Sequence, residues 1–216
     1  MKLTRVSSSG GMIIQHYDYT VRAAGREVYS GNTYFGFFAK EALANQVGLR
    51  EIALYQPTND EKAQSWSGEY PRQAPFPDSM LRMVDRITWY LPDGGPKGLG
   101  AIEGRIRVDP GAWFFKAHFH QDPVWPGSLG LESFLQVLRF LASKRWDVPA
   151  NELISPALRC VHQWTYRGQV IPRDAEVTVQ AIVTEVDDAA RRLTADGLLS
   201  VDGRIIYRMT DFSLQA

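Results

Sequence analysis

The 216-residue chain balances 24 lysines and arginines against 24 aspartates and glutamates, which excludes the broad cationic field that sequence-independent nucleic-acid binding needs. Hydrophobic residues at 44% and aromatics at 12% exclude whole-chain disorder and supply material for one or two packed cores. The single cysteine excludes an intrachain disulfide and a cysteine-rich zinc site.

The N-terminus, MKLTRVSSSGGMIIQHYDYT, has no continuous apolar run of signal-peptide length. The most apolar helical stretch, 129–142, is broken by Glu132, Gln136 and Arg139, so it is too polar to span a bilayer. The expectation is a soluble cytoplasmic protein, or a piece of one.

Residues 1–40 read as strands. MIIQHYDYTVR and REVYSGNTYFGFF are rich in β-branched and aromatic residues, and a turn is supplied by Ala23, Ala24 and Gly25. Residues 41–79 read as a linker or surface arm. A short helical piece, EALANQVGL, precedes QPTNDEKAQSWSGEYPRQAPFPDS, which carries four prolines.

A complete domain is expected over 80–216. MLRMVDRITWYLP runs from a turn or short helix into a strand, and DGGPKGLG is a hairpin loop. AIEGRIRVDP is a second strand with Ile102, Gly104, Ile106 and Val108 on one face. A long helix is expected from Pro126 and Gly127 to about Lys144. Its apolar stripe is Leu131, Phe134, Leu135, Leu138, Leu141 and Ala142. Glu132, Gln136, Arg139 and Ser143 share another face. LRCVHQWTYRGQV returns to strand character. VTVQAIVTEV, RRLTADGLLSV and GRIIYRMTDFSL then form a three-strand meander, with turns at Asp187 and Asp188 and at Asp202 and Gly203. The order predicts an α+β fold with one helix packed on a curved antiparallel sheet.

The two ends resemble each other. Gly25-Arg26-Glu27-Val28-Tyr29 matches Gly203-Arg204-Ile205-Ile206-Tyr207, and Thr33 and Phe35 match Thr210 and Phe212. The spacing differs by one residue, which a β-bulge absorbs. Residues 1–40 therefore read as a partial repeat that lacks its helix. The expectation is a chain that begins inside a preceding domain, or strands that complete a sheet in the same or a neighbouring subunit.

The stretch from Trp113 to Glu132 carries the chemistry. His118 lies in an apolar run, a proline-rich turn follows, and Glu132 sits in the helix fourteen positions on. Eliminating water from a 3-hydroxyacyl thioester needs these parts. The proton beside the carbonyl needs a base active near neutrality, for which an imidazole is suited. The developing oxyanion needs free N–H groups, here around Gly127 and Ser128 at the helix start. The leaving hydroxyl needs a proton donor, and a carboxyl group serves if apolar surroundings favour its neutral form. Leu131, Phe134 and Trp125 are the expected surroundings of Glu132.

His118, Phe119, Asp122, Pro123, Val124, Pro126, Gly127, Leu129, Gly130 and Leu131 resemble the active-site motif of the FabA-like β-hydroxyacyl-acyl-carrier-protein dehydratases. Met80, Leu81, Met83, Asp85 and Arg86 resemble the opening strand of that family. Gly168, Gln169, Val170 and Pro172, with Asp202, Gly203, Arg204 and Tyr207, resemble its later strands. The likeness covers about residues 76–216. It implies a hot dog fold acting as a dimer or as paired domains. It implies His118 as base, residue 132 as acid, Val124 holding the imidazole through its carbonyl, and Gly127 donating an oxyanion N–H. Gln136, one turn beyond Glu132, is placed to hydrogen-bond it. The substrate would ride on the phosphopantetheine of an acyl carrier protein, with no other cofactor.

Two residues depart from the family pattern. Glu132 stands where the isomerising branch has Asp, and one methylene moves the acid by about 1 Å; dehydration is expected and isomerisation is left open. Ser128 stands where the stand-alone enzyme has Cys. The half-repeat is similar to the tandem dehydratase regions of polyunsaturated fatty acid synthases and polyketide-type megasynthases. The expected activity is conversion of a (3R)-3-hydroxyacyl carrier protein to the trans-2-enoyl form. The alternatives are a non-catalytic hot dog that binds acyl groups or mediates assembly, and a hot dog thioesterase. His118, His120 and Asp122 also fit H-x-H-x-D, but that two-metal motif wants His where Pro123 stands.

Overall fold

The computed structural model describes all residues except 10–11, 40, 42, 44–45, 73–79 and 150–151. The short helical piece expected over 41–49 lies partly outside the described residues. The chain forms two compact units, Met1–Gln46 and Val47–Ala216.

The first unit is an antiparallel sheet of β1 (Lys2–Ser9), β2 (Met12–Ala23) and β3 (Arg26–Phe37), in that order. Ala24 and Gly25 turn the chain with positive φ of 47° and 77°, the conformation that matches the twist of flanking strands. Tyr17 faces Leu3 on one side and Thr33 on the other, Gln15 faces Val6 and Phe35, and Val21 faces Tyr29. Period-two alternation therefore collects Leu3, Val6, Tyr17, Val21, Tyr29 and Phe35 on one face. None of the described residues in these strands is buried.

The second unit begins within the stretch expected to be a linker. It comprises α1 (Asn59–Gln64), β4 (Trp66–Glu69), β5 (Arg86–Leu91), β6 (Ala101–Arg107), α2 (Trp113–Ala117) and α3 (Gly127–Trp146). β7 (Ser155–Pro156), β8 (Gln163–Tyr166), β9 (Glu176–Asp187), β10 (Arg192–Val201) and β11 (Arg204–Gln215) complete it. The strands make one eight-stranded sheet in the order β4-β5-β6-β9-β10-β11-β7, with β8 also paired to β11. Every pairing is antiparallel. α3 lies against β6, β9, β10 and β11. This is the α+β hot dog arrangement, one long helix held by an antiparallel sheet.

The core sits between α3 and the sheet. Phe134, Val137, Leu138 and Leu141 on the helix meet Ile102, Val179, Ala195, Leu199 and Met209 on the strands, and all are buried. Burying each large side chain contributes about 1.5–3 kcal/mol. The buried face is wider than the expected stripe. Leu131 and Leu135 are half-buried, while Ser133, Gln136 and Phe140 are buried. The physical reason is cover from a second side. Trp66 of β4 stacks on Phe140 at 5.3 Å, and Tyr90 of β5 meets it edge-on at 5.6 Å. The helix ends at Asp147, which adopts φ 47° and donates its N–H to Ser143. Lys144 and Arg145 in the last turn complement the helix dipole.

Part of the expected linker is thus integral to the sheet. Upstream of β4, the side-chain amide of Gln180 stands in for a neighbouring strand. It accepts from the Tyr55 N–H at 2.8 Å and donates to the Tyr55 carbonyl at 3.0 Å. The same amide group donates to buried Glu103 at 2.7 Å. Thr88 and Arg105 satisfy the other carboxylate oxygen at 2.7 and 3.0 Å, so the buried charge is paired.

The two meanders share a feature of register. Val28 and Ile206 are the extra residues at equivalent bulges, between Val21/Arg22 and Leu199/Ser200 on the partner strands. A further bulge opposite Asp196 lets Thr210 and Asp211 occupy one pairing step, with Asp211 at φ 61°. It keeps Phe212 on the face of Tyr207, as Phe35 is on the face of Tyr29. Phe212 thus lies four pairing steps from Tyr207, whereas Phe35 lies six steps from Tyr29 with no bulge between them. The bulge therefore preserves the face without bringing the two copies into one register.

Candidate active site

His118 terminates α2, its N–H donating to the Phe114 carbonyl at 3.0 Å. Buried Phe114 and Phe115 anchor this five-residue helix, and Phe114 stacks on buried Trp125 at 5.2 Å. The Trp125 N–H donates to the Val170 carbonyl at 2.9 Å, which fixes the turn between α2 and α3. His118 Nδ1 lies 3.0 Å from the Val124 carbonyl oxygen. A carbonyl oxygen only accepts, so the Nδ1–H donates and the neutral ring keeps its lone pair on Nε2. The Phe119 ring stacks on the imidazole at 3.9 Å.

α3 starts at Pro126 without a side-chain cap. Its first turn is covered by β8 and β11. A Cβ on Gly127 would lie 3.2 Å from the Trp164 ring, and one on Gly130 only 2.3 Å from the Tyr207 ring. Glycine at these two places is therefore a matter of close approach, while Ser128 between them is exposed. Tyr166 packs edge-on against Tyr207, with ring centroids 4.7 Å apart. Burial pushes the Tyr166 phenol up to about 12 and holds Tyr207 well above its ordinary range, so both are neutral donors near pH 7.

Glu132 sits one turn into α3. Its Oε1 accepts from Gln136 Nε2 at 3.1 Å and from Arg139 Nη1 at 2.7 Å. Gln136 is fully buried. Its Oε1 accepts from the N–H groups of Met83 and Val84 at 2.9 and 3.2 Å, and its Nε2 also donates to the Leu81 carbonyl at 2.7 Å. The Tyr70 hydroxyl donates to the Gln136 main-chain carbonyl at 2.9 Å, and burial raises that phenol above its ordinary range. Arg139 Nε reaches the Ile154 carbonyl at 3.3 Å.

The expected hydrogen bond from Gln136 to Glu132 is present, and Arg139 adds a charged donor on the same helix face, at i+7. Of the expected apolar surroundings, Phe134 meets Phe212 and Trp125 meets Phe114. His118 and Val124 are in contact, as are Glu132 and Gln136. Gly127 and Ser128 open the helix between the two pairs. Arg139 was expected on the face of Glu132 but given no role, and sequence reasoning missed Tyr70, Trp164 and Tyr166 as neighbours of the site.

His120 is exposed. His162 packs on Phe212 with ring centroids 4.3 Å apart, and burial lowers its pKa. A cleft of about 410 Å³ at the other end of α3, lined by Tyr90, Asp93, Lys144, Arg145 and Asp188 among others, includes none of the cluster above. Among the described residues, no helix is long and apolar enough to cross a membrane.

Residues 76–210 match the FabA-like domain, and the chain belongs to that family. It is 26% identical over 239 aligned positions to a polyunsaturated fatty acid synthase polypeptide of Thraustochytrium sp.. That alignment takes in 99% of this chain and 16% of the synthase polypeptide, so the chain spans about a sixth of the relative. Among solved structures, it is similar to the dehydratase heterocomplex ApeI:P from Xenorhabdus doucetiae, at 10% identity and a TM-score of 0.49. That match covers 65% of this chain and 86% of the other. AziG of S. sahachiroi matches at 10% identity and a TM-score of 0.40, over 53% and 82% of the two chains.

Proposed function

We propose that this chain is a dehydratase domain that converts a (3R)-3-hydroxyacyl thioester to the trans-2-enoyl thioester. The acyl group would be carried on the phosphopantetheine of an acyl carrier protein, within fatty acid or polyunsaturated fatty acid synthesis. The observation that carries the reading is the Nδ1–H donation from His118 to Val124, which leaves Nε2 as a base in the turn that leads into the uncapped start of α3.

In the proposed step, Nε2 takes the proton from C2. The C–H electron pair becomes the C2=C3 double bond, and negative charge rises on the thioester oxygen. N–H groups at Gly127 and Ser128 receive that charge, aided by the helix dipole. The C3–O bond breaks, and Glu132 gives the departing hydroxyl its proton, so water leaves. His118 and Glu132 then hold one proton in exchanged places. Pairing with a second hot dog domain, in the same or another chain, is part of the proposal. Because the acid is Glu and not Asp, dehydration without double-bond isomerisation is the expected outcome.

The test is incubation of the chain with 3-hydroxyacyl carrier proteins of several chain lengths, read by mass spectrometry. Loss of one water from the tethered acyl group is expected, and chromatography should place the double bond at C2. Replacement of His118 by Ala should lower the rate about 10³-fold with an unchanged melting curve. Release of free acid would instead favour a thioesterase. Unchanged substrate at every length would favour an acyl-binding or assembly role.

A further inference from the structure

The two donors that meet Glu132 both reach the same oxygen. Gln136 Nε2 and Arg139 Nη1 bond to Oε1 at 3.1 and 2.7 Å, and neither engages Oε2. The guanidinium is itself held. Its Nε is tied to the Ile154 carbonyl at 3.3 Å, and the ion pair with Glu132 is largely shielded, the two side chains being 19% and 23% exposed. Gln136 is locked by three main-chain groups of 81–84. The carboxyl group is thus oriented by two side chains that cannot easily move.

We propose, on the elimination chemistry above, that Arg139 is a positioning residue that dedicates Oε2 of Glu132 to the leaving hydroxyl. With Oε1 accepting two hydrogen bonds, Oε2 is the oxygen left to exchange a proton with substrate. When the proton passes to the departing hydroxyl, Oε1 and Oε2 share a full negative charge. The fixed cation 2.7 Å away meets that charge as it forms. The proposed step takes the pair from imidazole and carboxylic acid to imidazolium and carboxylate. Arg139 favours the second arrangement over the first. It therefore stabilises the transition state more than the bound substrate.

The test is a double-mutant cycle on the 216-residue chain with a 3-hydroxyacyl thioester, under single-turnover conditions. Arg139→Met should lower kcat about 100-fold and leave KM within about twofold, because the residue does not touch substrate. Arg139→Lys, which retains the charge but cannot bond Oε1 and the Ile154 carbonyl together, should recover about tenfold of that loss. In a Glu132→Gln background, Arg139→Met should cost nothing further, since it acts through the carboxyl group. A full additional loss in that background would mark a merely structural role and overturn the proposal. So would Arg139→Met turning over within twofold of wild type. If Arg139→Met does not fold, Arg139→Lys decides, and wild-type turnover by that variant overturns the proposal. A wild-type chain inactive on every thioester removes the dehydratase reading and this one with it. An active wild type with an indifferent Arg139 removes only this one.

Discussion

The two three-strand meanders are built alike and differ in what they cover. Both turn through a two-residue corner of positive φ, at Ala24 and Gly25 and at Asp202 and Gly203, and both carry a bulge one residue before the matching tyrosine, Tyr29 or Tyr207. In the C-terminal copy, Tyr207, Met209 and Phe212 are buried against the helix side of the sheet. In the N-terminal copy, Tyr29 and Phe35 are about half exposed, at 46% and 51%. Strand propensity and turn chemistry form the hairpins in both places. Burial is added only where a helix covers the face. The site follows the helix: every residue of the cluster belongs to the second unit.

The sharpest way to break this comparison is a matched pair of truncations. Phe134→Ala removes a ring buried against the sheet and should cost about 3–5 kcal/mol. Phe35→Ala, on the N-terminal sheet, should cost less than about 0.5 kcal/mol. Chemical denaturation of the two variants measures both, and equal losses would mean that the exposed face is covered in solution. A smaller effect is expected at Gly130. Its Cβ would sit 2.3 Å from the ring of Tyr207, so Gly130→Ala should destabilise the second unit by about 1–3 kcal/mol. A Cβ on Gly31 in the N-terminal copy would first meet the far end of the half-buried Tyr19 side chain, its hydroxyl at 2.9 Å, which can swing aside. A Gly31→Ala melting curve should hardly move.

The smallest effect concerns pH. His162 packs on Phe212 of the C-terminal copy, and burial lowers its pKa below the ordinary 6.5. Below pH 6.5 the unfolded chain therefore binds a proton that the folded chain resists. The stability His162 preserves at neutral pH should fall as acid is added through the range between the two pKa values. Replacing His162 by Gln should flatten that part of the pH–stability curve.

Much of this architecture could be read from residue patterns. The hairpins of β2, β3, β10 and β11 stood out because alternation and glycine turns are local signals. α3 stood out through its helical period and the proline-glycine start. β4 did not, because Trp66–Glu69 is four residues long, holds a glycine and is followed closely by Pro71. α2 was hidden in a run of aromatics that suits a strand equally well. At the site, His118, Val124, Glu132 and Gln136 lie within one continuous motif, so the His118–Val124 and Glu132–Gln136 pairings were legible. The surroundings of Glu132 were not. Gln136 is fixed by main-chain groups of 81–84 and by Tyr70. Those partners lie more than fifty positions away, where no periodicity can reveal them.

The central claim is that an imidazole on α2 removes a proton from the carbon next to a thioester carbonyl. Its most direct test is turnover of a 3-hydroxyacyl thioester carrying two deuterons at C2. The account predicts an enoyl product that keeps one deuteron, formed more slowly than from unlabelled substrate and not formed by His118→Ala. Recovery of both deuterons, in unchanged substrate or in a released free acid, would contradict it.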